Sequence, residues 1–179
     1  MEKLKILPLD IESDIFEIKS WENKFNNNPK FESIKHFILE DNTYYGLDEV
    51  ILTNYEFFHI GDDEKKFCFS IKNNFNETVG FIIACLFNLS QNKPELIIQY
   101  IVLNPDYQNL GYGTHVLNEL ITNSIDYFSY RPQDIYANIE KENSASLNLF
   151  KKFGFKFSHA PMGYLRAHKT IKNLEQEKI

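Results

Sequence analysis

The stretch NPDYQNLGYGTHVL, residues 104–117, places Gly111 and Gly113 on either side of one tyrosine, directly before a helical apolar pattern. A helix that begins at such a turn presents backbone N–H groups that have no partner within the helix, and its dipole favours negative charge there. Side chains at positions 111 and 113 would block an approaching phosphate. The stretch therefore predicts a phosphate site at a helix N-terminus, and a plain turn capped by Thr114 is the structural alternative.

Three phosphate-binding patterns can be compared with this turn. The dinucleotide fingerprint requires a third glycine at position 116, where this chain has Val116. The Walker pattern requires a lysine directly before the Ser or Thr, but Gly113 precedes Thr114. The pattern that fits is Q/R-x-x-G-x-G/A after a strand that ends in an apolar residue, any residue and Pro, which here covers residues 103–105 and 108–113.

A second motif, NIEKENSASLNLFKKFGFKF at residues 138–157, follows the turn. Together the two motifs resemble the GNAT superfamily of N-acetyltransferases, whose later strand and helix end in N-x-x-S/A-x-x-x-Y/F-x-K-x-G-F. The residues on those positions are Asn143, Ser146, Phe150, Lys152, Gly154 and Phe155. The two motifs cover residues 95–157, and the resemblance implies that the glycine turn holds the pyrophosphate of coenzyme A.

The resemblance implies acetyl-CoA as the co-substrate and no metal. It further implies that a backbone N–H near Leu103, where the strand is expected to separate from its neighbour, stabilises the oxyanion; such a donor is worth about 3 kcal/mol. The residues implied to bind the cofactor are Val102, Leu103, Gln108, Asn109, Leu110, Gly111, Tyr112, Gly113, Thr114, Asn143, Ser146 and Phe150.

Acetyl transfer to an amine requires a base, because an alkyl amine with a pKa of about 10 is mostly protonated at neutral pH. Relatives often carry this base about four residues before the end of the strand, where this chain has Gln99, which cannot accept the proton usefully. Glu95 starts the same strand on the same face and is the predicted base. Glu140 and Glu142 are the alternatives, and a solvated strand end is the competing interpretation of Glu95.

The general acid of the family is often a tyrosine at the position of Phe150. Ser146 lies one helical turn earlier on the same face, as Asn143 does one turn before that, and Ser146 is the predicted acid. The absence of any dedicated acid is the alternative, because a thiolate whose conjugate acid has a pKa of about 8.5 leaves without much help. Tyr107, Tyr112, Tyr136 and Tyr164 are interpreted as packing rings, and the five histidines are assigned no role.

Periodicity predicts one α/β (α+β) domain over residues 1–179, and the resemblance implies a GNAT-like fold with a central mixed, mostly antiparallel sheet flanked by helices. Its cofactor-binding core covers about residues 95–157 and its acceptor-side helices about residues 10–40. The predicted strands are 3–9, 65–71, 78–87, 95–103 and 134–139, followed by two short ones, and the predicted helices are 10–26, 31–38, 114–128 and 144–153.

The composition is that of a globular chain, with 43% apolar and 25% charged residues among 179. There is no apolar run long enough to span a membrane, and the first residues lack the features of a signal peptide. Cys68 and Cys85 lie in apolar strand-like runs, which predicts buried thiols in a reduced, cytoplasmic protein. The net charge of −6 disfavours nucleic acid as a partner.

The charge is unevenly distributed: residues 1–70 hold 15 acidic and 8 basic residues, a net −7, whereas residues 71–179 hold 10 and 11, a net +1. An acidic wall attracts cations, although solvated helix faces would explain the acids equally well. We predict an acetyl-CoA-dependent N-acetyltransferase for a small-molecule or peptide amine, favouring a cationic acceptor. The alternative is an acyl-CoA-binding module with little or no transferase activity. Both a monomer and a homodimer are open.

Overall fold

A computed structural model describes residues 4–21, 24 and 63–171 of the chain. Seven strands form one mixed sheet in the order β1-β2-β3-β4-β5-β7-β6, which confirms the predicted α/β class. β4 and β5 are parallel, whereas the pairs β1·β2, β5·β7 and β6·β7 are antiparallel. The strands are β1 (Lys5–Pro8), β2 (Lys65–Lys72), β3 (Thr78–Phe87), β4 (Glu95–Leu103), β5 (Asp134–Glu140), β6 (Lys156–His159) and β7 (Tyr164–Thr170). The helices are α1 (Ile11–Lys19), α2 (Tyr112–Thr122), α3 (Ser124–Phe128) and α4 (Ser144–Lys152).

Two helix predictions need correction. The helix expected from residue 10 to 26 is described only as α1, which Asp10 caps by accepting a hydrogen bond from the Glu12 N–H at 3.0 Å. The helix expected over 114–128 begins at Tyr112 and is interrupted at Asn123. Ile125, which a continuous helix would place on its apolar face, is 45% exposed. The helix predicted over 31–38 lies outside the described residues, and no described helix has the length and hydropathy to cross a membrane.

The described residues form two compact units. Unit 1 comprises residues 4–21, 24, 66–83 and 100–116, and unit 2 comprises 63–65, 84–99 and 117–171. The core of unit 1 joins α1 to β2, β3 and β4 through a buried cluster of Leu9, Ile18, Trp21, Cys68, Phe81, Ile83 and Val102. Gly80 is needed in β3 because a Cβ there would lie 2.6 Å from the Val102 carbonyl oxygen.

A buried ion pair fastens α1 to β2 and β3 within unit 1. The carboxylate of Asp14, only 1% exposed, pairs with the Lys72 ammonium and accepts a hydrogen bond from the Thr78 hydroxyl at 2.9 Å. Glu17, one turn later, accepts the Thr78 backbone N–H at 3.0 Å. Burial raises the pKa of Asp14, but hydrogen bonds from Lys72, the Asp10 N–H and Thr78 outweigh it, so the pKa lies below its ordinary value.

Unit 2 is built on the parallel pair β4·β5 and the antiparallel pair β5·β7. Along β5, Ile135, Ala137 and Ile139 are buried, and the residues between them are at least partly open to solvent. Because side chains alternate between the two faces of a strand, the open face of this part of the sheet carries the other set. That set includes Tyr136, which lies opposite His168 on β7, and Asn138, which lies opposite Arg166.

Candidate active site

The predicted phosphate turn lies in unit 1. It begins with a 3-10 helix, Pro105–Tyr107, in which the Asn104 side chain accepts the Asp106 N–H at 3.2 Å. The Gln108 side-chain amide then donates to the carbonyl oxygen of Leu103 at 3.0 Å, so this motif residue ties the turn back to the end of β4. The turn is therefore held by its own polar groups.

The backbone that follows alternates in handedness. Asn109 has a φ of +60° and Gly111 a φ of +86°, whereas Leu110 between them does not have a positive φ. Such alternation directs successive N–H groups toward one side and forms an anion-binding concavity. The side chains of Asn109 and Leu110 are exposed, with Leu110 at 56%. The backbone here thus fits a phosphate group, as the resemblance implies for the pyrophosphate of coenzyme A.

Helix α2 starts at this concavity and not at Thr114. The Gly111 carbonyl accepts the His115 N–H at 3.0 Å, which makes Gly111 the N-cap and places Gly113 inside the first turn. The N–H groups of an α-helix's first turn have no partner within the helix. The Tyr112 ring is buried and stacks on Tyr107 with centroids 5.9 Å apart. Gly113 consequently leaves one side of the exposed helix end without a side chain.

In unit 2, β4 and β5 separate early. Their register pairs join only Glu95–Ile97 of β4 to Asp134–Tyr136 of β5. Both strands continue beyond these pairs, β4 through Gln99 to Leu103 and β5 to Glu140. The pairing thus ends well before Leu103, where the separation was expected. Beyond these pairs, the backbone N–H and C=O groups of Ile98, Gln99 and the end of β5 that face the other strand have no register partner in it. An extended ligand that carries amide groups can therefore form hydrogen bonds with them.

A surface pocket lies where the two strands separate. Its lining residues are Glu95, Ile97, Tyr136, Asn138 and Arg166, all of which belong to unit 2. The Arg166 Nε–H donates to the Asn138 side-chain oxygen at 3.3 Å. Ile97 and Tyr136 form the last pair between β4 and β5, so the pocket adjoins the point at which the ladder opens. Of the predicted catalytic residues, Glu95 is the one in this pocket.

Tyr136 lines the pocket and contacts a neighbouring polar side chain. Its ring stacks on His168 with centroids 4.7 Å apart, and His168 contacts the Asp134 carboxylate at 2.7 Å. Burial, followed by the charges of Glu95 and Asp134, raises the pKa of the Tyr136 hydroxyl above its ordinary value. The hydroxyl is therefore a proton donor at neutral pH.

Asp134 contacts His168, on which the Tyr136 ring stacks. Burial raises its pKa, but hydrogen bonds from Thr170 at 2.6 Å and from His168 outweigh that effect and lower it. Its carboxylate is thus already engaged. Glu95, its register partner on β4, makes no hydrogen bond or ion pair with any residue that the structure describes.

The first turn of α4 holds the remaining predicted residues. The Asn143 side chain accepts the Ser146 N–H at 3.0 Å and thereby caps the helix. Ser146 is half-buried, and Phe150 is 5% exposed and packs edge-on against Phe155 with centroids 4.9 Å apart. Asn143 thus has a structural task, which leaves its side-chain N–H groups and the Ser146 hydroxyl for other contacts.

Sequence reasoning missed three of the pocket residues, Ile97, Asn138 and Arg166. Asn138 and Arg166 face each other across β5 and β7 and lie 28 residues apart in the chain, a distance at which no local pattern links them. The other base candidates, Glu140 and Glu142, do not line the pocket, and their backbone carbonyls accept hydrogen bonds in the turn before α4. Gln99, at the position where relatives often carry the base, is exposed on β4. Within the described ranges there is no cluster of His, Cys, Asp or Glu able to hold a metal ion.

The sequence signature of the Acetyltransferase (GNAT) family matches residues 31–155. The chain therefore belongs to the GNAT family of acetyltransferases. A curated relative, N-alpha-acetyltransferase 50 of Danio rerio, is 25% identical over 92 residues. That match covers 51% of this chain and 54% of the relative, so the chain spans about half the length of the curated relative it matches.

Two solved structures share the fold at low sequence identity. Spermidine N-acetyltransferase from Vibrio cholerae, in complex with CoA and spermine, has a TM-score of 0.62 and 17% identity, covering 94% of this chain and 95% of its own. Ribosomal-protein-S18-alanine N-acetyltransferase from Escherichia coli has a TM-score of 0.60 and 16% identity, covering 99% of both chains. At these identities the likeness concerns the fold.

Proposed function

We propose that this chain is an acetyl-CoA-dependent N-acetyltransferase that acts on the amine of a small molecule or peptide in the cytoplasm, with residues 1–179 as one domain. The early separation of β4 from β5 carries the proposal most strongly. Coenzyme A has an extended arm that contains amide groups, and unpaired strand edges bind such a chain through backbone hydrogen bonds. The left-handed turn at Asn109 and Gly111, within unit 1, separately supports a phosphate contact.

The proposed roles follow from what each group can exchange. Glu95 accepts a proton from the amine, directly or through a water, because a carboxylate is the one base in the pocket. Acetyl-CoA supplies the acetyl group: the amine nitrogen forms the C–N bond as the C–S bond breaks, and the electron pair leaves with sulfur. Ser146 is the proposed proton donor to that sulfur. The residues proposed to hold the cofactor are those of the two motifs, Val102–Thr114 and Asn143–Phe150, as the family resemblance implies.

The spermidine and peptide acetyltransferases among the related proteins support amines as acceptors. They do not select one acceptor class, and the charge distribution supports an acceptor of positive net charge, whatever further groups it carries. An acyl-CoA-binding module is the second candidate, favoured by Gln99 and Phe150 at positions where relatives often have a base and an acid.

A paired assay tests the proposal. Thiol release from acetyl-CoA is measured against a panel of amines, and coenzyme A binding is measured by calorimetry on the same preparations. We expect amine-dependent thiol release that falls at least tenfold in Glu95→Gln and in Ser146→Ala, with the CoA dissociation constant changed less than twofold. The matched control is Asp126→Asn, an exposed carboxylate outside the pocket, and Glu142→Gln tests the alternative base.

The outcomes separate the two candidates. Binding of coenzyme A without thiol release for any amine would support the binding module. Unchanged turnover in Ser146→Ala would exclude Ser146 as the acid and favour the absence of a dedicated acid. Loss of turnover in Glu142→Gln but not in Glu95→Gln would transfer the role of base to the turn before α4.

A further inference from the structure

The pocket at the start of β4 holds polar groups whose bonding capacity is not used internally. Among the described residues, nothing forms a hydrogen bond or ion pair with the Glu95 carboxylate or a hydrogen bond with the Tyr136 hydroxyl. Arg166 gives only its Nε–H to Asn138, which leaves the other guanidinium N–H groups and the Asn138 amide N–H groups available. These groups therefore have room for an external partner.

The charges are arranged along the strands in a definite order. Glu95 is level with Asp134 in the register, whereas Arg166 is level with Asn138, four residues further along β5. Four residues of strand are about 13 Å, and two strand spacings separate β4 from β7 by about 10 Å. No hydrogen bond or ion pair joins Glu95 to Arg166, both of which are described and line the same pocket. A ligand between them meets a carboxylate at one end and a guanidinium at the other.

From this arrangement we infer that the acceptor carries a carboxylate or carbonyl group beside its amine, as an α-amino acid or a peptide N-terminus does. Glu95 receives the amine, Arg166 and Asn138 bind the carboxylate or carbonyl oxygen, and Ile97 and Tyr136 contact the carbon between them. Arg166 suits this task because a guanidinium binds a carboxylate through two parallel hydrogen bonds. The inference rests on the proposed function, since it takes this pocket as the acceptor side.

The same arrangement disfavours a polyamine. A ligand with a second ammonium group would place that charge near Arg166, where like charges repel, and would leave the guanidinium without a partner. Asp134 does not offset this, because Thr170 and His168 already engage its carboxylate. Arg166 is accordingly the specificity-determining residue of the pocket.

Matched acceptors test the inference. The common α-amino acids, their amides and their decarboxylated amines are compared by kcat/KM in the wild type, Arg166→Gln, Arg166→Lys and the control Arg131→Gln, an exposed arginine outside the pocket. We expect the best amino acid or amide to exceed its decarboxylated amine at least tenfold. Arg166→Gln should remove this preference by lowering kcat/KM for the amino acid or amide at least tenfold more than for the decarboxylated amine, Arg166→Lys should retain part of it, and Arg131→Gln should retain all of it.

Each outcome decides the inference. A preference for the free acid identifies the carboxylate, and an equal or greater preference for the amide identifies the carbonyl of a peptide N-terminus. A decarboxylated amine or spermidine as the best acceptor overturns the inference, as does a carboxylate preference that survives in Arg166→Gln. If no amine gives thiol release, the proposed function fails, and calorimetric binding of the same acid and amine pairs to the wild type and Arg166→Gln still decides the inference: a wild-type preference lost in the variant supports it, and equal binding overturns it.

Discussion

Gly111 and Gly113 are two residues apart, yet different physical requirements act on them. Gly111 has a φ of +86°, a region that side chains with a Cβ adopt only at a cost, and its carbonyl starts α2. Gly113 lies within the helix, where any L-residue fits the backbone and glycine lowers stability by about 1 kcal/mol relative to alanine. Helix propensity therefore favours another residue at 113, and the proposed approach of a phosphate would account for the glycine there.

We predict that Gly113→Val loses at least tenfold in CoA affinity, about 1.4 kcal/mol, because its side chain occupies the space of a phosphate oxygen. Gly113→Ala should lose less affinity and raise the unfolding free energy. Calorimetry with coenzyme A and chemical unfolding measure the two effects. The control is Asn118→Val, an exposed position on the same helix. Unchanged CoA binding in a folded Gly113→Val protein would remove the pyrophosphate from this turn.

Helix α1 is held to β2 and β3 by polar groups as well as by its apolar face. The Asp14 carboxylate is almost fully buried, and its partner Lys72 is 12% exposed. Removing one member of a buried ion pair leaves the other charge uncompensated, which costs about 3 to 5 kcal/mol. This contact therefore matters to the attachment of α1 within unit 1.

Asp14→Asn should lower the unfolding free energy by about 3 kcal/mol at pH 7. Because the pKa of Asp14 is lowered on folding, the wild type keeps this stabilisation above the unfolded-state pKa and loses it as the pH falls through the folded-state pKa. The difference between wild type and variant should therefore shrink in acid. Urea unfolding at neutral and acidic pH measures it, with the exposed Glu12→Gln as the control, expected within about 1 kcal/mol. A pH-independent difference would contradict the assignment.

At the scale of the whole molecule, net charge affects the rate at which a charged acceptor meets the protein more than the way in which the acceptor is bound. The net −7 of residues 1–70 raises the local concentration of cations. Part of this negative charge is already engaged within the protein, because Asp14 pairs with Lys72 and Glu17 accepts the Thr78 N–H. The recognition proposed for the pocket in unit 2, by contrast, acts over a few ångströms. Long-range attraction and local recognition therefore differ in their response to salt.

For acceptors of net charge 0 to +3, we predict that kcat/KM falls with ionic strength more steeply as the charge rises. Raising the salt from about 0.01 M to about 1 M shortens the screening distance from about 30 Å to about 3 Å, which suppresses attraction by residues 1–70. A zwitterionic amino acid should respond little over the same range. Initial rates across the series provide the measurement. A preference for cations that does not change with salt concentration would contradict the proposed long-range attraction by residues 1–70.

Much of the element structure was predictable because its causes are local. The bounds of β3 and β4 agree with the predicted 78–87 and 95–103, since long apolar runs end at turn residues. Gly154, at the end of the predicted helix 144–153, has a φ of +75°, and its N–H donates to the Lys151 carbonyl. The start of α2 was misjudged by two residues because Gly111, rather than Thr114, provides the cap.

The sequence by itself determined the glycine turn after β4, the end of α4 at Gly154 and the family, because these depend on residues a few positions apart. Only the tertiary structure decided which side chains surround Glu95. The Asn138 and Arg166 side chains come together through the register of β5 against β7, and Asp14 reaches Lys72 across 58 positions of the chain. Register and burial follow from how whole elements pack. A one-residue shift in strand pairing would place Tyr136 and Arg166 on opposite faces of the sheet, and no local pattern of residues records that choice.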